Sequence, residues 1–188
     1  DMETYVRTER SYLFYDPVGP RPDYPYLYAL ATVHGRLYAT GENSHASLRA
    51  ELLDGSGVAG PNPLSFSYSP GSPVYAAGAF TFIEITEFEN GFEFHAGFKS
   101  MIAVHPLEEG SEFATIHIDT VLKADVRANT YEEGPLGLAI ANGMDTLPIT
   151  AITLPNGTPI EESGYRLVEI VPEPCALIYS ALGALGCV

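Results

Sequence analysis

Lysine is almost missing from this 188-residue chain; it occurs only at Lys99 and Lys123. Lys and Arg together number 9 against 24 acidic residues, which leaves a formal charge of −15. That balance argues against nucleic acid, whose phosphates demand clustered cations, and against docking on anionic lipid by a polybasic segment. Tryptophan is absent, which removes the strongest platform for stacking on a sugar ring. The 2 cysteines, Cys175 and Cys187, both lie near the C-terminal end, so residues 1–174 contain no thiol. Twelve helical residues would hold them about 18 Å apart, beyond the reach of a disulfide. No Gly-rich loop precedes a lysine, and HExxH, CxxC, GxSxG and DxDxDG are all missing. Sustained 3.6-residue periodicity is also lacking, so a dinucleotide fold of alternating strands and helices is excluded.

What the chain does have is strand signal. Apolar residues make up 46%, enough to bury a real core. The clearest segment is 79–98, two β-rich runs joined at Glu89-Asn90-Gly91. Asn-Gly accepts the two positive φ values of a type I′ turn, so a hairpin is predicted there. Its second arm places Phe92, Phe94, Ala96 and Phe98 on one face and Glu93, His95 and Lys99 on the other. Its first arm is apolar on both faces near Phe82-Ile83, as expected of a central strand. Further strands are predicted at 3–8, 26–33, 36–40, 47–53, 64–68, 100–104, 112–126, 136–140, 149–154 and 164–170. Val33-His34-Gly35-Arg36 is read as the turn between the second and third. In 47–53, Leu48 and Leu52 share a side. With 18 Gly and 15 Pro punctuating the chain, this pattern predicts an all-β fold. The expected architecture is a single jelly-roll-like β-sandwich over 1–170, followed by an apolar C-terminal tail over 171–188.

Several groups of side chains invite chemistry. His95, His105 and His117 fall in or beside predicted strands, and His117 shares a face with Asp119. Side by side they would build a His-rich metal site, although solvated faces of amphipathic strands explain them more simply; no metal ligands are assigned. Carboxylates surround the hairpin at Glu84, Glu87, Glu89 and Glu93 and form doublets at Glu108-Glu109, Glu132-Glu133 and Glu161-Glu162. These read as solubilising charge, with no catalytic residue among them; a structural calcium bound in a loop is the one cofactor they would suit. Tyr24, Tyr26 and Tyr28 fall on one face of an extended Tyr24-Pro25-Tyr26-Leu27-Tyr28. Such a row either contacts a glycan or partner or covers an edge of the sandwich.

The last segment changes character. Cys175 to Val188 carries no charge, and as a helix it would rise about 21 Å, short of a full membrane span. Pro172 and Pro174 separate it from the body. Val171-Pro172-Glu173-Pro174 followed by an Ala/Leu/Gly tail resembles the PEP-CTERM sorting signal of exported Gram-negative bacterial proteins. Pro172, Glu173 and Pro174 match its tripeptide, and 175–188 match the start of its helix. The Arg-rich end of that signal is not present here, so the tail is expected to be truncated. The first residue, Asp1, fits either a removed export signal or a trimmed chain.

The resemblance implies export to the cell surface or extracellular space and processing by the membrane protease exosortase. It also implies transient membrane association through the tail and a link to exopolysaccharide. The competing reading makes 175–188 a buried terminal element of the domain. The sequence therefore leads to an exported, non-enzymatic protein of the cell surface or extracellular matrix with a structural or adhesive role. It would assemble with like subunits by pairing an exposed strand such as Glu3 to Thr8 with a neighbour's sheet edge. The alternative is a carbohydrate-binding module acting on exopolysaccharide.

Overall fold

Strict alternation of apolar and polar residues drives most of this chain into strands, because successive side chains of an extended backbone point to opposite faces. The computed structural model describes residues 2–20, 22–54, 63–107, 111–128, 137–143 and 147–170. Within them the strands are β1 (Met2–Tyr15), β2 (Tyr26–Thr40), β3 (His45–Asp54), β4 (Leu64–Tyr68), β5 (Tyr75–Ala77) and β6 (Phe80–Phe88). They continue as β7 (Gly91–Ala103), β8 (His105–Pro106), β9 (Phe113–Arg127), β10 (Leu138–Gly143), β11 (Ile149–Thr153) and β12 (Arg166–Glu169). One helical turn, Ile160–Ser163, buries Ile160 and ends at Gly164 in the left-handed conformation.

The strands form two antiparallel sheets. Sheet A is 7-stranded in the order β12-β1-β9-β3-β4-β5, with β8 also on β9; sheet B is 5-stranded in the order β10-β2-β7-β6, with β11 also on β2. The chain passes repeatedly between them, and their inner faces close on one core: the fold is the all-β sandwich. Leu27, Ala29, Val33 and Leu37 of β2 and Phe92, Phe94, Ala96 and Phe98 of β7 line sheet B's inner face. Leu48 and Leu52 of β3, Phe66 of β4 and Ile116 and Ile118 of β9 meet them from sheet A. Phe66 stacks on Phe94 at 3.8 Å between ring centroids, pinning β4 of sheet A to β7 of sheet B. Each such side chain, fully buried, contributes about 1.5–3 kcal/mol.

Three local expectations give way. Val33-His34-Gly35-Arg36 is no turn: β2 runs unbroken through it, paired to β7 from Tyr26↔Ala103 to Tyr38↔Gly91. Gly35 serves a close approach instead, since a Cβ there would come 2.6 Å from Phe94 Cζ and 2.9 Å from the Asn142 carbonyl. The hairpin at 89–91 stands, but its loop is Glu89-Asn90, of which Asn90 alone takes positive φ (64°). Gly91 opens β7, and a side chain there would collide with the Leu37 carbonyl. Finally, β6 is an edge strand. Phe82, Ile83 and Ile85 are exposed, because among the described residues no strand lies on its far side.

Candidate functional site

Parity sends odd residues of β1, β3 and β9 to the outer face of sheet A. Three rows cross these strands there: Tyr5–Lys123–Arg49, Arg7–Val121–Glu51 and Glu9–Asp119–Leu53. The charges are matched to one another. Arg7 Nη2 donates to Asp119 Oδ2 at 2.6 Å and also meets Glu9 at 3.1 Å. Arg49 pairs with Glu51, which Lys123 approaches at 3.9 Å. The hydrogen bond it donates to Asp119 holds the Arg7 guanidinium above its ordinary range. Long aliphatic stems lie over the centre of the sheet, so Glu51 and Asp119 are only 5% and 6% exposed although they face outward. The two carboxylates at the centre of this surface, Glu51 and Asp119, are thus satisfied within the protomer.

The outer face of sheet B is built differently. Because β2 does not turn at Gly35, His34 stands directly across from His95, and His95 across from Glu84. The two imidazoles are 5.9 Å apart between ring centroids. His34 Nε2–H donates to Glu93 Oε1 at 2.8 Å, and His95 Nδ1 lies 3.9 Å from Glu84. These groups, with Thr32 and Thr86, line an open depression of about 360 Å³. The next row is Thr32–Gly97–Phe82. Gly97 has no side chain, and the Phe82 ring lies over it in edge-to-face contact with His95 at 4.9 Å. Beyond it a second depression of about 280 Å³ is lined by Tyr28, Phe80, Lys99 and Met101, with Lys99 Nζ 4.8 Å above the Tyr28 ring. From Tyr28 to His34 the face runs about 20 Å at strand rise. Rings, imidazoles, carboxylates and hydroxyls alternate along it.

Tyr26 and Tyr28 lie on this face, their rings 5.6 Å apart. Tyr24 precedes β2 and packs edge-on against Tyr165, which in turn meets Phe14. Burial and a hydrogen bond with Tyr24 push the Tyr165 phenol up from its ordinary value. The three strand histidines are not side by side. His95 is on the outer face of sheet B, while His105 and His117 neighbour each other on sheet A, 6.4 Å between centroids, with Ser11 Oγ sharing a 2.8 Å hydrogen bond with His117 Nδ1. Sequence reasoning missed His34, the true neighbour of His95, because it placed that residue in a turn; its alternation with Val33 and Leu37 was the available signal. Among the described residues no three His, Cys, Asp or Glu converge as a metal cage, and no helix is long and apolar enough to cross a membrane. Glu108-Glu109, Glu132-Glu133 and the tripeptide Pro172, Glu173 and Pro174 lie outside the described residues.

One further feature concerns an edge. β1 pairs with β9 along its whole length, but on its other side β12 covers only Tyr12–Tyr15. The last bond there runs from Ile170 N–H to the Ser11 carbonyl, 2.7 Å. From Met2 to Arg10 the outer edge of β1 meets no strand among the described residues, and Tyr5 is 71% exposed. No family model matches this chain, and no curated protein or solved structure matches it either.

Proposed function

We propose that this chain is an exported, non-enzymatic β-sandwich with a structural or adhesive role at the cell surface or in the extracellular matrix, carried there by a sorting tail over 171–188. The observation that supports it is the way the body hands over to that tail. Ile170 and Ser11 form a hydrogen-bonded pair, so in the same antiparallel register the next donors aimed at β1 would belong to residues 172 and 174, facing Glu9 and Arg7. Both are proline and have no N–H to give. A sequence with proline at those two positions offers no donors for such a ladder, which suits a tripeptide that an exosortase-type protease must reach. The matched charges on sheet A fit a scaffold rather than a catalyst. Mass spectrometry of protein released from the cell surface tests this reading. A new C-terminus at or beside 172–174 is expected; an intact 175–188 segment in all released protein overturns it.

A second reading is favoured by the outer face of sheet B, where Tyr26, Tyr28, Lys99 and the His34–His95 pair form a run of about 26 Å of rings and hydrogen-bonding groups. This suits an exopolysaccharide chain, with Tyr28 as platform and His34, Glu84 and Glu93 as polar contacts. A glycan array tests it. Binding should fall about tenfold in Tyr28→Ala, while silence across all acidic and neutral polysaccharides removes the reading.

A further inference from the structure

Strand edges that meet no neighbour expose rows of N–H and C=O groups, and such rows invite another strand. The described residues leave two long ones, on β1 and β6. They differ in charge. β6 holds only acid, at Glu84 and Glu87, so a second β6 meets no cation in any register. The open part of β1 holds both signs, Glu3 and Glu9 against Arg7 and Arg10.

We propose that the β1 edge from Met2 to Thr8 docks on the same edge of a second copy, joining two A sheets across a two-fold axis centred on Tyr5. The proposal deepens the assembly reading above and rests on its claim that this protein associates through strand edges. The register follows from hydrogen-bond parity. Because Ser11 faces Ile170 through its backbone groups, the backbone of Glu3, Tyr5, Arg7 and Glu9 points to the open edge, and that of the even residues points to β9. An antiparallel dyad centred on Tyr5 sets Glu3 opposite Arg7 of the second copy twice over, with Tyr5 opposite its own counterpart. Each of these pairs exchanges both N–H···O bonds. The even residues set Thr4 opposite Val6 and Met2 opposite Thr8. Shifting the axis to Val6 puts Glu3 against Glu9, and shifting it to Arg7 puts two guanidiniums face to face. An axis at Thr8 also opposes Arg7 and Glu9, but it lays Met2–Thr4 of the second copy along Tyr12–Phe14, where β12 already pairs. Of the described residues within the open edge, the Tyr5 axis is the one that opposes unlike charges.

Burial points the same way. Met2 and Val6 are 62% and 57% exposed, unusually open for apolar strand residues. Met2 and Thr4, with Ala124, Val126 and Ile140, line an open apolar depression of about 220 Å³ at this end of the sandwich. Val6 of the second copy, opposite Thr4, falls at its rim. A two-fold contact of this kind is self-limiting and gives dimers rather than fibres.

Sedimentation of the full chain at concentrations up to about 100 μM gives the first measurement. A dimer is expected, with Glu3→Arg weakening it about tenfold or more, because the introduced guanidinium then stands against Arg7 of the second copy. Among the described residues Glu3 forms no ion pair, so this change is expected to leave the fold intact, which circular dichroism checks. The register is read by cross-linking in a Cys175→Ser, Cys187→Ser background. Thr4→Cys chains mixed with Val6→Cys chains should form a disulfide heterodimer, and neither variant alone should. A monomer throughout, a dimer indifferent to Glu3→Arg, or Val6→Cys chains that cross-link by themselves overturns the proposal. A monomer whose tail is still processed would sink this interface and leave the sorting reading standing.

Discussion

The two outer faces of this sandwich have similar strands beneath them and opposite manners above. On sheet A, Arg7, Arg49 and Lys123 lie over Glu51 and Asp119, and the carboxylates are nearly sealed from water. On sheet B, His34, His95, Glu84 and Phe82 stand open around two depressions. The difference lies in stem length and in what sits at the middle of each sheet. Arg and Lys carry flexible aliphatic arms that can fold onto β9, whereas imidazole and phenyl rings on β2, β7 and β6 are short and stand upright. Gly97 adds a gap at the centre of sheet B that the Phe82 ring and the Thr81 hydroxyl fill. The centre of one face is spent on holding itself together, and the other stays open to solvent.

Four changes would break or sharpen this contrast. The largest effect belongs to the core both faces share. Phe94→Ala removes the ring stacked on Phe66 and should destabilise the protein by about 4 kcal/mol, taking both faces down in one urea transition. Two separate transitions would show that the sheets do not depend on each other. Next is Arg49→Met, which leaves the Glu51 carboxylate with Lys123 alone. About 2 kcal/mol is expected, below the range for a fully buried pair because Lys123 remains and Arg49 is half exposed. Phe82→Ala should cost only about 1 kcal/mol, since that ring is already 40% exposed, yet it should alter any glycan binding measured on sheet B. If Phe82→Ala proves costlier than Arg49→Met, the division into a sealed face and an open one fails. The smallest effect lies outside both faces. The Tyr165 phenol is raised in the folded state by burial and by Tyr24, so the stability it contributes is complete below the unfolded tyrosine range. That contribution is lost as pH rises from about 10 through the folded value. Tyr165→Phe should flatten the alkaline end of a urea-midpoint profile, and an unchanged slope would deny the shift.

Much of the sandwich was legible because alternation is a local signal. Phe92, Phe94, Ala96 and Phe98 announce the buried side of β7, and Leu48 and Leu52 that of β3, without knowledge of any neighbour. What stayed hidden depends on partners distant in sequence. Gly35 reads as a turn until Phe94 is known to press on it, and with it His34 passes unnoticed as the residue facing His95. Phe82 and Ile83 read as the two faces of a central strand, and strand order alone shows that β6 has a single neighbour among the described residues. Likewise 3–8 was visible as a strand, but the full run of β1 to Tyr15 follows from its pairing with β9. The tyrosine cluster was visible as composition, while the separation of Tyr24 from Tyr26 and Tyr28 follows from Tyr165, far along the chain.

The pairing of β1 with β9 also governs timing. Arg7 and Asp119 are 112 positions apart, so β1 cannot take its place in sheet A until most of the chain has been made. On a ribosome the N-terminal strand waits unpaired through the synthesis of β2 to β8, and long-range pairing of this kind folds slowly even in a complete chain. A polypeptide that is late to fold is one that can still be threaded through a narrow channel, and here that delay is written into strand order rather than into any separate device.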